Sequence, residues 1–268
     1  MRPGGTAKLS RLPRGQGSPF ASPALNHAAQ PADAQRVETQ DFVLVQGLRD
    51  TRATLERWNA RPGSVLWSWL AGSLVVVTAL LLAVWLVGVV STPDASGLAI
   101  PGLNRPTSLE AVGAVLFRNS LVLALHAMAC VAGFIAGSSL PLEATRHTGV
   151  WRWVHDKAGP LAIGFVVCAT TFSLLTQAFV LGAGASTLAA QLGIPPGLLL
   201  VGLLPHALPE LTVLFLPLAA WIIASRRDDW DQLLAATFVT VGIAVPVLIA
   251  SAFVEVYVSP HLLRALAA

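Results

Sequence analysis

Charge is what this chain has least of: 12% of its 268 residues are Asp, Glu, Lys or Arg, against 54% that are hydrophobic. So thin a polar fraction cannot cover a soluble globule, and with a mean hydropathy of +0.68 it marks an integral membrane protein. Only two cysteines occur, Cys130 and Cys168, both inside apolar segments, which leaves no basis for a disulfide framework or a thiolate metal cluster. The catalytic templates are missing as well. There is no His-Glu-x-x-His to set two imidazoles on one helix face, no Gly-x-Ser-x-Gly elbow and no phosphate-cradling P-loop. A lone His-x-x-x-Glu offers two metal ligands at most, so a metal would need a third from His126 or Glu255. Neither a metal, a cofactor nor catalysis is expected. The net charge of +3 and the pI near 9.4 come from basic residues beside apolar spans, not from an aromatic-interleaved patch, which argues against nucleic acid as a partner.

What the chain does have is five segments able to cross a hydrocarbon core, which takes roughly 20 apolar residues. They run over about 65–90, 112–138, 159–181, 198–224 and 233–258. The expected fold is all-α: a five-helix transmembrane bundle over 63–260, preceded by a disordered cytoplasmic tail over 1–40 and followed by a short outer tail over 261–268. The tail over 1–40 has few large apolar side chains and cannot offset its ordering entropy. Its basic residues are followed by no apolar core of the kind a cleavable signal needs. Over 41–62, Val45, Leu48, Leu55 and Trp58 recur at helical spacing beside Arg49, Arg52 and Arg57. This is the pattern of an amphipathic cytoplasmic helix, either lying on anionic lipid, docking a partner or leading into the first span. Residues 91–110, rich in Pro, Gly, Ser and Asn, read as a loop; residues 182–197, broken by glycines and Pro195-Pro196, read as an interfacial loop in preference to a re-entrant hairpin ending near Pro205.

Basic residues near span ends set orientation, because cytoplasmic loops retain positive charge. Arg49, Arg52, Arg57 and Arg61 precede the first span, Arg146, Arg152 and Lys157 separate the second and third, and Arg226 and Arg227 separate the fourth and fifth. The other side carries Arg105, Arg118 and Arg264. The N-terminus is therefore expected in the cytoplasm and the C-terminus outside, across a bacterial inner membrane.

Polar groups inside these spans are the candidate functional residues, since each is costly at bilayer depth and ordinarily faces protein or a wet cavity. Pro205-His206-Ala207-Leu208-Pro209-Glu210-Leu211 puts two ionisable side chains four residues apart, on one helix face. Pro205 and Pro209 stand beside them as helix breakers that free backbone carbonyls. An ion-paired structural joint, a transport site and a docking site all fit that pair. Asn119, Gln177 and Glu255 fall in the outer part of their spans and His126 nearer the middle, so that all could line one outward-facing funnel. Asn119 and Gln177 also suit interhelical hydrogen bonding, Glu255 suits the headgroup region, and His126 suits a satisfied core position. Gly133 and Gly137, on the stripe that begins at Asn119 and His126, form a small-xxx-small pair that admits a second backbone and suits helix packing or a homo-oligomer.

These residues, in order, resemble the stage II sporulation protein M family. The likeness rests on Asn119 with the glycines at 133 and 137, on the Pro-His-Ala-Leu-Pro-Glu-Leu run, and on Ala252-Phe253-Val254-Glu255-Val256-Tyr257-Val258-Ser259-Pro260. It covers about 41–260. The family pattern has glycine where Ala207 stands, lacks the extra breaker Pro209, and has a second asparagine where Ser120 stands. The resemblance implies a five-span, non-enzymatic membrane scaffold that organises peptidoglycan-remodelling proteins of the cell envelope, recruited on its outer face. The intramembrane His and Glu residues support a second reading, a permease or channel-like subunit passing an ion or small solute.

Overall fold

A computed structural model describes residues 43–140 and 148–268. The tail expected over 1–40 lies outside the described residues, as do residues 141–147, which include the first part of the polar connection that follows the second span. Among the described residues the chain is helical, and its one strand-like feature is an isolated bridge between Pro101 and Arg105.

Helix α1, Val43–Ala60, ends against α2, Pro62–Val90, which has a proline at its first position, where the missing N–H costs nothing and the fixed φ suits a helix start. Trp58 meets Trp69 edge-on at 5.1 Å between ring centroids, and Thr51 and Thr54 are buried, so α1 packs on the bundle by one face. Its polar face carries an exposed Arg52–Glu56 pair at 3.1 Å. In α2 the buried residues Ser73, Val77, Leu80, Val84 and Gly88 follow each other by three or four. One stripe thus packs inward while Val75, Leu82 and Leu86 face out, as a span in lipid requires.

Helix α3, Leu109–Phe134, begins where the Ser108 hydroxyl accepts the Ala111 N–H at 3.1 Å, a side-chain cap. It runs on through a π-helical turn, Ile135–Ser139. Helix α4, Val150–Leu192, is 43 residues long, roughly 65 Å at the usual rise and about twice what a bilayer core needs.

The expected interfacial loop over 182–197 is therefore not a loop. Its Gly-Ala-Gly-Ala-Ser-Thr run continues α4 for two further turns and more, because small residues let it lie close against α2. A Cβ on Gly182 would come 2.5 Å from that of Val87. The helix stops at Gly193, in the left-handed conformation at φ 69°. Its N–H and that of Ile194 bond to Ala190 and Ala189 carbonyls, the double closure typical of a glycine-terminated helix. The true connection is three residues, Gly193 to Pro195.

The fourth span is α5, Pro196–Leu214, and α6, Leu216–Arg227, and it forms the centre of the bundle. Pro205 and Pro209, expected to break it, lie inside continuous helix. Both are exposed, so the rings and the carbonyls they free stay on the outer flank. The break comes at Phe215, φ −95° and ψ 2°, two residues before Pro217. There the neighbouring helices supply donors: the Ser73 hydroxyl donates to the Thr212 carbonyl at 2.5 Å and the Cys130 thiol to the Pro217 carbonyl at 3.1 Å. Supplying donors from neighbours is how a proline-interrupted span stays satisfied away from water.

The fifth span is α7, Leu233–Phe253, a π-helical turn Val254–Val258, and α8, Ser259–Ala267. The expected short tail over 261–268 is mostly the end of this helix. It packs back on α5, where Leu263 and Leu266 fill the space Gly202 leaves.

Candidate functional site

A cavity of about 460 Å³ opens within the half of the bundle nearest the connection between α2 and α3. Its polar wall is Arg118, His206, Glu210, Glu255 and Ser259; its apolar wall includes Val84, Leu188, Leu199 and Leu263. The four-residue spacing of His206 and Glu210 does put both on the cavity. Glu255 reaches it from the π-helical turn of the fifth span. Such a turn adds a residue to the helix and so re-aims the side chains around it, a feature frequent at functional sites.

His206 is 7% exposed. Its partner is not Glu210: ring Nδ1 lies 2.6 Å from the Ser259 hydroxyl, leaving Nε2 without a hydrogen bond among the described residues. Glu210 sits beside Asn119, near enough to Glu255 to repel it and to Arg118 to attract it. Glu255 feels the same guanidinium. Among the described residues, no ion pair within 4.0 Å closes this group. Glu210 Oε2 and Asn119 Nδ2 are buried without a partner there.

Residues 91–108 form a lid held from two sides. The Thr187 hydroxyl accepts the Asp94 N–H at 3.0 Å, the Ser186 hydroxyl donates to the Ser91 carbonyl at 2.8 Å, and the Arg264 guanidinium donates to the Gly102 carbonyl. Within the loop Asn104 accepts from Ile100 and donates to Leu98, each at 2.6 Å. Asp94 accepts the N–H and the hydroxyl of Ser96, each at 2.8 Å, which holds its carboxyl below the usual range. Leu98, Ala99 and Ile100 thereby cover the cavity.

The single funnel expected from the sequence gathers only part of its candidates. Gln177 bonds to Ser173 on its own helix at 3.1 Å and lies off the cavity. His126 is fully buried deeper in the bundle, its ring edge-on to Phe215 at 5.1 Å, with both nitrogens unpartnered among the described residues. Gly133 and Gly137 are tight positions, but what enters them is an indole and not a backbone. A Cβ on Gly133 would meet Trp221 and Leu233 at 2.7 Å, and one on Gly137 would clash with Trp230.

Arg118 and Ser259 belong to the site and were not singled out. Arg118 was counted as an outer topology charge, yet it directly precedes Asn119 in an otherwise apolar helix, which was the available signal. Ser259 could be paired with His206 only through the tertiary fold.

No curated protein and no solved structure matches the chain. Residues 157–260 match the family model described as Stage II sporulation protein M, a stretch that takes in the last three spans and closes at Pro260, beside the cavity residue Ser259. Arg118 and Asn119 fall outside it. With five helices long and apolar enough to cross a membrane, the chain has the make-up of a multi-pass membrane protein, and its last three spans are similar to the stage II sporulation protein M family.

Proposed function

We propose that this chain is a non-catalytic scaffold of the bacterial cytoplasmic membrane that organises peptidoglycan-remodelling proteins of the envelope. The observation that carries this reading is that the cavity is blind. Beyond Glu210 every residue of the central span from Leu211 to Trp221 is buried, so the polar pocket ends on a close-packed segment that is apolar apart from Thr212. A lidded pocket with a mouth on one side only suits docking or ligand sensing better than conduction.

Orientation follows from charge. The end bearing Arg61, Lys157, Arg226 and Arg227 faces the cytoplasm, which puts the lid, the cavity mouth and the C-terminus outside, where envelope proteins are met. The test is photocrosslinking in cells from residues placed at Ser96 and Asn104 of the lid. Recovery of a cell-wall hydrolase or synthase supports the scaffold, and self-crosslinks alone count against it.

A permease reading is favoured by one observation, the ionisable group formed by Arg118, His206, Glu210 and Glu255. It requires pH-dependent ion flux in proteoliposomes, abolished by Glu210→Gln.

A further inference from the structure

Two carboxylates and one guanidinium face this cavity, an excess of one negative charge when all three are ionised. The unmet hydrogen-bonding capacity includes acceptors as well: Glu210 Oε2 has no partner among the described residues, beside an Asn119 amide that is itself an unpartnered donor, and the imidazole of His206, more than nine-tenths buried and lining the cavity, uses only Nδ1, so that Nε2 is an acceptor when Nδ1 carries the proton. A buried carboxylate without a partner is costly, and natural sites supply the partner. The volume, about 460 Å³, is far more than a bare metal ion fills and falls in the range of organic-ligand sites. Leu188, Leu199, Leu203 and Leu263 would enclose an apolar body.

We propose that the cavity binds a protonated primary amine carried on an apolar molecule, its ammonium group seated between Glu210 and Glu255 with His206 Nε2 as a further acceptor. Three N–H donors on one positive centre match two carboxylates and one imidazole nitrogen in number and kind. A quaternary ammonium has the charge and no donor, so it fits poorly. The amine comes either from an aminophospholipid headgroup or from a small amphiphilic amine in the aqueous phase. Neither source depends on the scaffold reading, since the binding is a property of the isolated protein.

The test uses the purified full chain. Native mass spectrometry after equilibration with equal phosphatidylethanolamine and phosphatidylcholine reads the lipid arm. Thermal unfolding with hexylamine against hexanol reads the soluble arm. Retention of phosphatidylethanolamine about tenfold over its trimethylated counterpart, or stabilisation by hexylamine and not hexanol, is expected, and which arm responds identifies the source. Glu210→Gln and Glu255→Gln each remove the preference, while Gln177→Ala, off the cavity, keeps it; unaltered gel-filtration profiles show that the variants fold. Equal retention of both lipids with no hexylamine effect overturns the proposal. So does an equal stabilisation by sodium ion alone, or a preference that survives both glutamate substitutions.

Discussion

The two halves of the central span are built to opposite rules. From Pro196 to Glu210 the helix borders a void, carries His206 and Glu210, and exposes Pro205 and Pro209. From Leu211 to Trp221 it is buried at every residue, with Phe215 fully enclosed by its neighbours. One half keeps polar groups and space at the cost of packing; the other gives up polarity for contact. Without a hydrophobic drive between helices in lipid, van der Waals packing is what holds a bundle together. The sealed half therefore supplies stability, and the open half is free to specialise.

That contrast ranks the effects of substitution. Phe215→Ala, in the sealed half, is expected to cost about 4 kcal/mol, in line with large core truncations, read as a lowered unfolding midpoint in detergent. Gly133→Ala comes next, at about 2 kcal/mol, because the new methyl must displace Trp221 and Leu233, which a Cβ would meet at 2.7 Å. Ser73→Ala removes the donor to the Thr212 carbonyl and should cost about 1 kcal/mol by the same measurement. Leu203→Ala, on the cavity wall, only widens an existing void and should stay below about 1 kcal/mol, beneath the usual core cost. If it matched Phe215→Ala, the two halves would not differ as described.

The smallest effect concerns the lid. Asp94 has its carboxyl lowered from 3.8 by the Ser96 amide and hydroxyl. A depressed folded value means that these bonds favour the ordered loop above about pH 4, the unfolded value, and lose that contribution as pH falls through the lower folded value. Amide exchange at Ser96 should accelerate across that window in the native chain and show no such step in Asp94→Asn.

Much of the sealed half was legible in the sequence. Hydropathy alone marks five spans, since lipid demands an unbroken apolar surface. The glycines at 133 and 137 were readable as close approaches, although nothing local says that Trp221 and Trp230 would fill them. The open half was less readable. The residues from Gly182 to Leu192 have loop composition and become helix because they lie against α2 and hold the lid through Ser186 and Thr187. Pro205 and Pro209 looked like breaks, but a proline on an exposed flank can be carried by a helix, whereas the break at Phe215 depends on donors from Ser73 and Cys130 far away in sequence. His206 and Glu210 were readable as one face. Their partners Ser259 and Arg118 come from other spans, which spacing within a segment cannot reveal.

A cavity open to one side only can be labelled from that side alone, at a residue of its wall such as Ala207. In a background with Cys130→Ala and Cys168→Ala, Ala207→Cys would be exposed in oriented vesicles to a membrane-impermeant thiol reagent from each face in turn. Labelling from the lid face alone is the predicted result. Labelling from both faces would show a path through the packed half and contradict the account.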